Sequence, residues 1–232
     1  MQGSGVSRQE EELELAKPRQ VKPRKRMDPR RETTRQAILE AAETLFAEQG
    51  IDAVSLRQIG AAIGAGNTAV VAYHFGDKEA LIEAILRFRL PDFERRRAEL
   101  AGAWRDGEAG IREILEALWL PLFEQRNAQG RRSYAAFLAS FGRSGWGWVW
   151  TESEALVPVT VSLATRLQAA MPPAARPCFM PRVRAVSALI TAGIQALDLQ
   201  EDLPGEQERV LFDDLIRMAA AALGAPGPAN QQ

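Results

Sequence analysis

Few side chains in this 232-residue chain can do chemistry on a substrate, and their scarcity is informative. His74 is the sole histidine, so a multi-histidine metal site and a Ser–His or Cys–His catalytic pair are both excluded. Cys178 is the sole cysteine, which excludes an intrachain disulfide and gives no sign of an oxidising compartment. Asp and Glu total 30, but charged helix faces account for them more simply than a hydrolytic pair. There is no phosphate-cradling loop. Catalytic residues, metal ligands and cofactors are therefore expected to be absent, leaving hydrogen-bonding and cationic side chains near the N-terminus. Asn67 and Thr68 can bond base edges or phosphates, and Arg57 and Lys78 can neutralise phosphate.

Those residues need a scaffold, and the run SLRQIGAAIGAGNTAVVAYHFGDKEALI, Ser55 to Ile82, supplies its pattern. Thr33 or Thr34 caps a first helix, with Gln36 completing a capping box after Thr33 and Ile38, Ala41, Ala42, Leu45 and Phe46 forming its buried stripe. Gly50 stops it. Ser55 caps a second helix, with Gln58 three residues on and Leu56, Ile59 and Ile63 inside. Gly64-Ala65-Gly66 makes a turn, and a short third helix is expected over about 67–73. Asp77 caps a fourth, which is expected to bend or end near Leu90-Pro91. Two short helices across a glycine turn are the order a helix-turn-helix needs, although four short helices of an all-α core read the same from spacing alone.

The segment Thr34 to Leu86 resembles the N-terminal domain of the TetR (tetracycline-repressor) family of transcriptional regulators. Ile38, Ala41, Ala42, Leu45, Phe46, Gly50, Ser55, Ile59, Gly64, Tyr73, His74, Phe75, Lys78, Glu79 and Leu81 carry the likeness, and the run YHFGDKEAL is its most specific part. It covers about the first quarter of the globular region. The resemblance implies DNA contacts from Thr34, Ser55, Arg57, Asn67, Thr68, Tyr73, His74 and Lys78, with His74 and Lys78 beside phosphates. Between Gly64 and Tyr73 this chain is one residue longer than the commonest family pattern, which leaves the register of those contacts open.

A net charge of −1 is low for a DNA binder until it is resolved along the chain. Lys17, Arg19, Lys22, Arg24, Lys25, Arg26, Arg30 and Arg31 form a basic block behind the acidic Glu10, Glu11, Glu12 and Glu14. Few apolar residues and strong charge make 1–31 an expected disordered arm, which either follows the DNA backbone or is a mere tail. The core from Thr33 to Glu79 retains Arg35, Arg57 and Lys78 as fixed cations.

Helical stripes continue beyond the first domain. Ile111 to Phe123 is one, and Tyr134, Phe137, Leu138 and Phe141 mark another after a break at 127–130. Gly142 to Trp150 reads GRSGWGWVW and holds three of the five tryptophans. Trp119, Phe123, Phe137, Phe141 and Trp148 are the expected wall of an apolar ligand pocket, against the plainer reading that they plug the core. A helix follows from Glu154 to Ala170, then a stiff connector from Pro177 to Pro181. Val183 to Leu197 and Val210 to Leu223 are long amphipathic helices, which the resemblance implies pair with a twin subunit. The small residues Ala185, Ala188, Ala192, Gly193 and Ala196 permit close approach, between subunits or within one.

The expected architecture is thus all-α. A disordered basic arm (1–31) leads to a three-helix helix-turn-helix domain (32–78), a larger helical ligand-binding and dimerisation domain (79–224) and a disordered tail (225–232). The expected function is that of a homodimeric repressor binding a near-palindromic double-stranded operator and released by a small apolar effector. The alternatives are a ligand-independent DNA-binding regulator or activator and, from another class, a helical enzyme or protein-interaction module. No apolar run approaches the ~20 residues of a membrane span, so no membrane partner is expected and the cytoplasm is the expected compartment.

Overall fold

Short capped helices followed by long amphipathic ones build the chain, which is described by a computed structural model over residues 29–67, 69–104, 109–144, 157–200 and 203–227. In order they are α1 (Pro29–Gln49), α2 (Leu56–Ala62), α3 (Val70–Phe75), α4 (Lys78–Gly102), α5 (Ile111–Glu124), α6 (Ser133–Arg143), α7 (Pro158–Ala170), α8 (Phe179–Asp198) and α9 (Gly205–Gly224). A 3-10 turn over Pro173–Cys178 precedes α8. Among the described residues there is no strand, and the fold is all-α as expected.

α1, α2, α3 and the start of α4 wrap around Ile38, Ala42, Phe46, Ile59, Val71, Leu81 and Ile85, all essentially inaccessible. α1 also lies along α6, where Phe46 stacks on Phe137 at 6.2 Å, so its stripe serves the body as well. Farther on, α5 and α8 both pack on α9. Ile190 and Ile194 of α8 and Phe212, Ile216 and Ala219 of α9 are buried between them. A side chain at Gly193 would overlap the Leu215 methyl groups, so this small residue serves an approach inside the chain.

Several boundaries differ from the sequence reading. α1 begins at Pro29, four residues before Thr33, because proline's fixed φ suits the first helical position and Arg30 to Glu32 are adequate helix formers. Thr33 and Thr34 therefore cap nothing; their hydroxyls donate back to Pro29 O (2.9 Å) and Arg30 O (3.0 Å). The expected arm thus loses residues 29–31 to α1, and its remainder, 1–28, lies outside the described residues.

α4 runs through Pro91 without a break. Pro91 and Arg87 are both exposed, so the Arg87 carbonyl that loses its partner can be hydrated. The expected stiff connector is helical instead, with Pro181 in the first turn of α8, where a missing N–H costs nothing. α7 starts at Pro158 within the described residues, and 154–156 lie outside them. The expected tail is tied down at its start. Arg182 donates to Leu223 O (2.9 Å), Ala225 O (2.6 Å) and Pro226 O (2.7 Å), a cationic cap on the last carbonyls of α9.

Candidate nucleic-acid interface

The helix-turn-helix is assembled almost entirely from local backbone chemistry. Ser55 takes an extended conformation, φ −96° and ψ 155°, and its Oγ accepts from Gln58 N at 3.3 Å. Gln58 returns the favour by accepting from Ser55 N at 2.8 Å, which completes the capping box. α2 ends in a Schellman closure: Ala65 N donates to Gly60 O (3.1 Å) and Gly64 N to Ala61 O (3.0 Å). Gly64 sits at φ +67°, left-handed backbone that a side chain would strain.

The recognition helix begins later than the sequence suggested. Asn67 is in the turn, not in the helix, and its Oδ1 accepts from Ala69 N at 2.9 Å. This Asx turn places Val70 as the first helical residue, because an Asn side chain that satisfies a nearby N–H competes with helical pairing. Thr68 lies outside the described residues. α3 buries Val71 and leaves Tyr73 73% exposed. Gly76 at φ +84° closes it, and Asp77 at once caps α4 by accepting from Ala80 N at 2.8 Å.

The residues proposed to touch DNA fall into two groups. Arg57, Asn67 and Tyr73 are exposed, and His74 is half-buried beside Tyr73. Ser55, Thr34 and Lys78 are engaged internally. Ser55's hydroxyl belongs to the capping box and Thr34's to α1. The Lys78 ammonium donates to Ile51 O (2.9 Å) and Asp52 O (3.4 Å), strapping α4 to the turn between α1 and α2.

Sequence reasoning passed over Arg31 as a partner of this site, having placed it in the arm. Its guanidinium lies 5.8 Å from the Tyr73 ring, and that of Arg35 lies 5.1 Å from the Phe75 ring. The Pro29-to-Glu32 helix start was the available signal. His74 is held below its usual imidazole range, first by partial burial and then by the positive charges of Arg31 and Arg35, with Glu32 opposing.

The described phenylalanines of the expected ligand wall fall into two separate ring groups. Phe137 and Phe141 form one ring cluster with Phe46 and Tyr134, while Phe123 stacks on Phe212 at 4.5 Å beneath the Arg132 guanidinium. Trp119 is half-buried against the core, and Trp148 lies outside the described residues. Phe123, Phe137 and Phe141 are core, each covered by another aromatic. A cleft of about 350 Å³ opens elsewhere, lined by Thr44, Glu48, Arg131, Ser133, Gln195 and Leu199 among others. Among the described residues no group of three His, Cys, Asp or Glu could hold a metal, and no helix is long and apolar enough to cross a membrane.

A short recognition helix presented by a capped partner helix, next to a long connecting helix, defines a helix-turn-helix DNA-binding domain on an all-α body. Residues 38–85 match the family model described as bacterial regulatory proteins, tetR family. The chain is similar to the HTH-type transcriptional repressor NicS of Pseudomonas putida, with 30% identity over 86 residues. It is also similar to the HTH-type transcriptional repressor KstR2 of Rhodococcus jostii, with 34% identity over 94 residues. These alignments span 37% and 40% of this chain and only 40% and 44% of the relatives, so the likeness is that of one domain. In overall fold it is similar to a TetR family transcription regulator from Marinobacter aquaeolei. There the TM-score is 0.59 at 19% identity, covering 85% of this chain and 98% of the other.

Proposed function

We propose that the chain is a sequence-specific DNA-binding transcriptional regulator that acts as a homodimeric repressor in the cytoplasm, not as a catalyst. A DNA-reading unit over about 32–78 serves a larger unit over 79–224 that pairs the subunits and takes a small-molecule effector. One observation carries the reading: α2 and α3 are joined by a Schellman turn and closed by back-to-back caps, presenting an exposed α3 face within a matched TetR-type segment. Two such helices in a twofold dimer, about one DNA turn (~34 Å) apart, suit a near-palindromic double-stranded operator.

The outer face of α8 and α9 supports pairing. Ala185, Ala188, Leu189, Ala192 and Ala196 are exposed along α8, and Leu211 and Met218 stand seven residues apart on α9 at 38% and 45% exposure. Small residues on one side and unpartnered apolar ones on the other fit close helix packing between copies. A gel-shift assay with DNA upstream of the chain's own gene tests the proposal. A discrete, competitor-resistant shift is expected; binding no stronger than to shuffled DNA refutes it. A second reading, regulation without an effector, is favoured by the packing of Phe123, Phe137 and Phe141 into ring stacks.

A further inference from the structure

The first turns of α1 run beside the exit of α3, and there two arginines alternate with three rings. Arg31 lies over Tyr73 (5.8 Å) and Arg35 over Phe75 (5.1 Å), while His74 meets Tyr73 edge-on at 5.3 Å and Phe75 at 6.3 Å. The two cations differ in their other partners. Arg35 is also 3.9 Å from Glu32, but no hydrogen bond or ion pair engages Arg31 among the described residues. An arginine that stacks uses the faces of its guanidinium and keeps the edge donors free. Those donors form the planar fork that fits two phosphate oxygens.

The platform beneath Arg31 is equally telling. Tyr73 leaves 73% of its surface in water, on the helix read as DNA-facing. A large ring left in water at that place gains a use if it holds a cation. The imidazole of His74 beside it is held low first by partial burial and then by the charges of Arg31 and Arg35, with Glu32 as the opposing carboxylate. Lys78, by contrast, spends two of its three donors on Ile51 and Asp52 carbonyls.

We propose that Arg31 binds a DNA phosphate flanking the groove read by α3, that Tyr73 is the positioning residue holding its guanidinium there, and that α1 is thereby part of the DNA interface. The inference rests on the DNA-binding reading above. It makes an unusual demand: removing an uncharged ring should change the salt dependence of binding.

The test uses the full chain and duplexes that it enriches from a randomised double-stranded library. Affinity is measured across a salt series for wild type, Arg31→Ala, Arg31→Gln, Tyr73→Ala and the Arg31→Ala/Tyr73→Ala double variant. Helical content and melting are checked for each; Arg31 and Tyr73 are both exposed, and the Gln variant retains the side-chain stem. Both Arg31 variants should bind about tenfold more weakly at moderate salt, and the slope of log affinity on log salt should flatten by about 0.9 per protomer. Tyr73→Ala should flatten it similarly, and should flatten it no further when Arg31 is already gone. A wild-type slope in the Arg31 variants overturns the phosphate contact. A flattened slope for Arg31→Ala with a wild-type slope for Tyr73→Ala overturns the positioning role. If the wild-type chain enriches no duplex, the DNA-binding reading itself fails, and this inference with it.

Discussion

Charge is used in opposite ways at the two ends of this molecule. At the helix-turn-helix end, Arg31, Arg35 and Arg57 stay at or near the surface, steadied by rings or left in solvent. In the body, a set of buried charges is consumed by structure. Arg132 is fully buried and donates to Phe123 O (2.8 Å), Asp198 (2.7 Å) and Glu208 (2.9 Å), tying the ends of α5 and α8 to the start of α9. Glu94 of α4 accepts from Val159 N (2.7 Å) and so caps α7, while Arg97 beside it donates to Leu118 O and to Thr160. Glu43 joins the two regimes, bridging α1 to Arg89 of α4 (2.7 Å) and accepting from the Ser133 hydroxyl at the start of α6. The lesson is one of division: a surface meant for a polyanion keeps its donors available, whereas a body meant to hold a geometry spends them inside.

That contrast can be broken most forcefully at Arg132. Replacement by alanine removes the buried guanidinium and leaves Glu208 its pair with Arg126 and Asp198 the backbone N–H of residue 132. It should cost about 3 kcal/mol, read as a lowered urea midpoint. Arg132→Met, which keeps much of the stem, should still destabilise while disturbing packing over Phe123 less. At the other end, Arg57→Ala should leave stability within about 0.5 kcal/mol, as exposed substitutions do. Equal losses at the two positions would erase the distinction between the regions.

Next in size is the α8–α9 face. Met218→Glu or Leu211→Glu should yield monomers by sedimentation, with operator affinity falling because a single half-site binds weakly. Ile190 is unsuitable for that test, since it is buried within the subunit and a charge there would unfold the core. An intact dimer after both surface changes would contradict the proposed pairing.

Smaller again is the cap that sets α2. Ser55→Ala removes the acceptor for Gln58 N and should cost about 1 kcal/mol, with melting as the readout.

The smallest effect expected is that of His74. Its folded value lies below the unfolded one, so the neutral imidazole is the form that folding favours. Its contribution is complete above about pH 6.5 and is lost as pH falls below that point. The stability difference between wild type and His74→Gln should therefore shrink on acidification, and a difference independent of pH would contradict the charge assignment.

How much of this was legible follows from the range of the interactions. The capping box at Ser55–Gln58, the turn at Gly64 and the cap at Asp77 are contacts within a few residues, and the sequence pattern exposes such contacts directly. The amphipathic stripes of α5, α6, α8 and α9 were equally readable from their period. The start of α1 was missed because a Thr-x-x-Gln pattern looks like a cap wherever it occurs, and Pro29 outcompeted it. Asn67 was placed on the helix because residue type alone does not say whether an amide faces DNA or its own backbone. The ring pairs were hidden for a tertiary reason: Phe123 meets Phe212, and Phe137 meets Phe46, across separations that no local pattern encodes. Arg132's three partners were invisible for the same reason.

The central claim is that the α2–α3 end reads DNA as a pair of copies, and selection from a randomised double-stranded library tests it most directly. The account predicts enrichment of a near-palindromic motif with half-site centres about one helical turn (~34 Å) apart, lost when Asn67 and Tyr73 are both replaced by alanine. Enrichment of no motif, or of the same motif by that double variant, would contradict it.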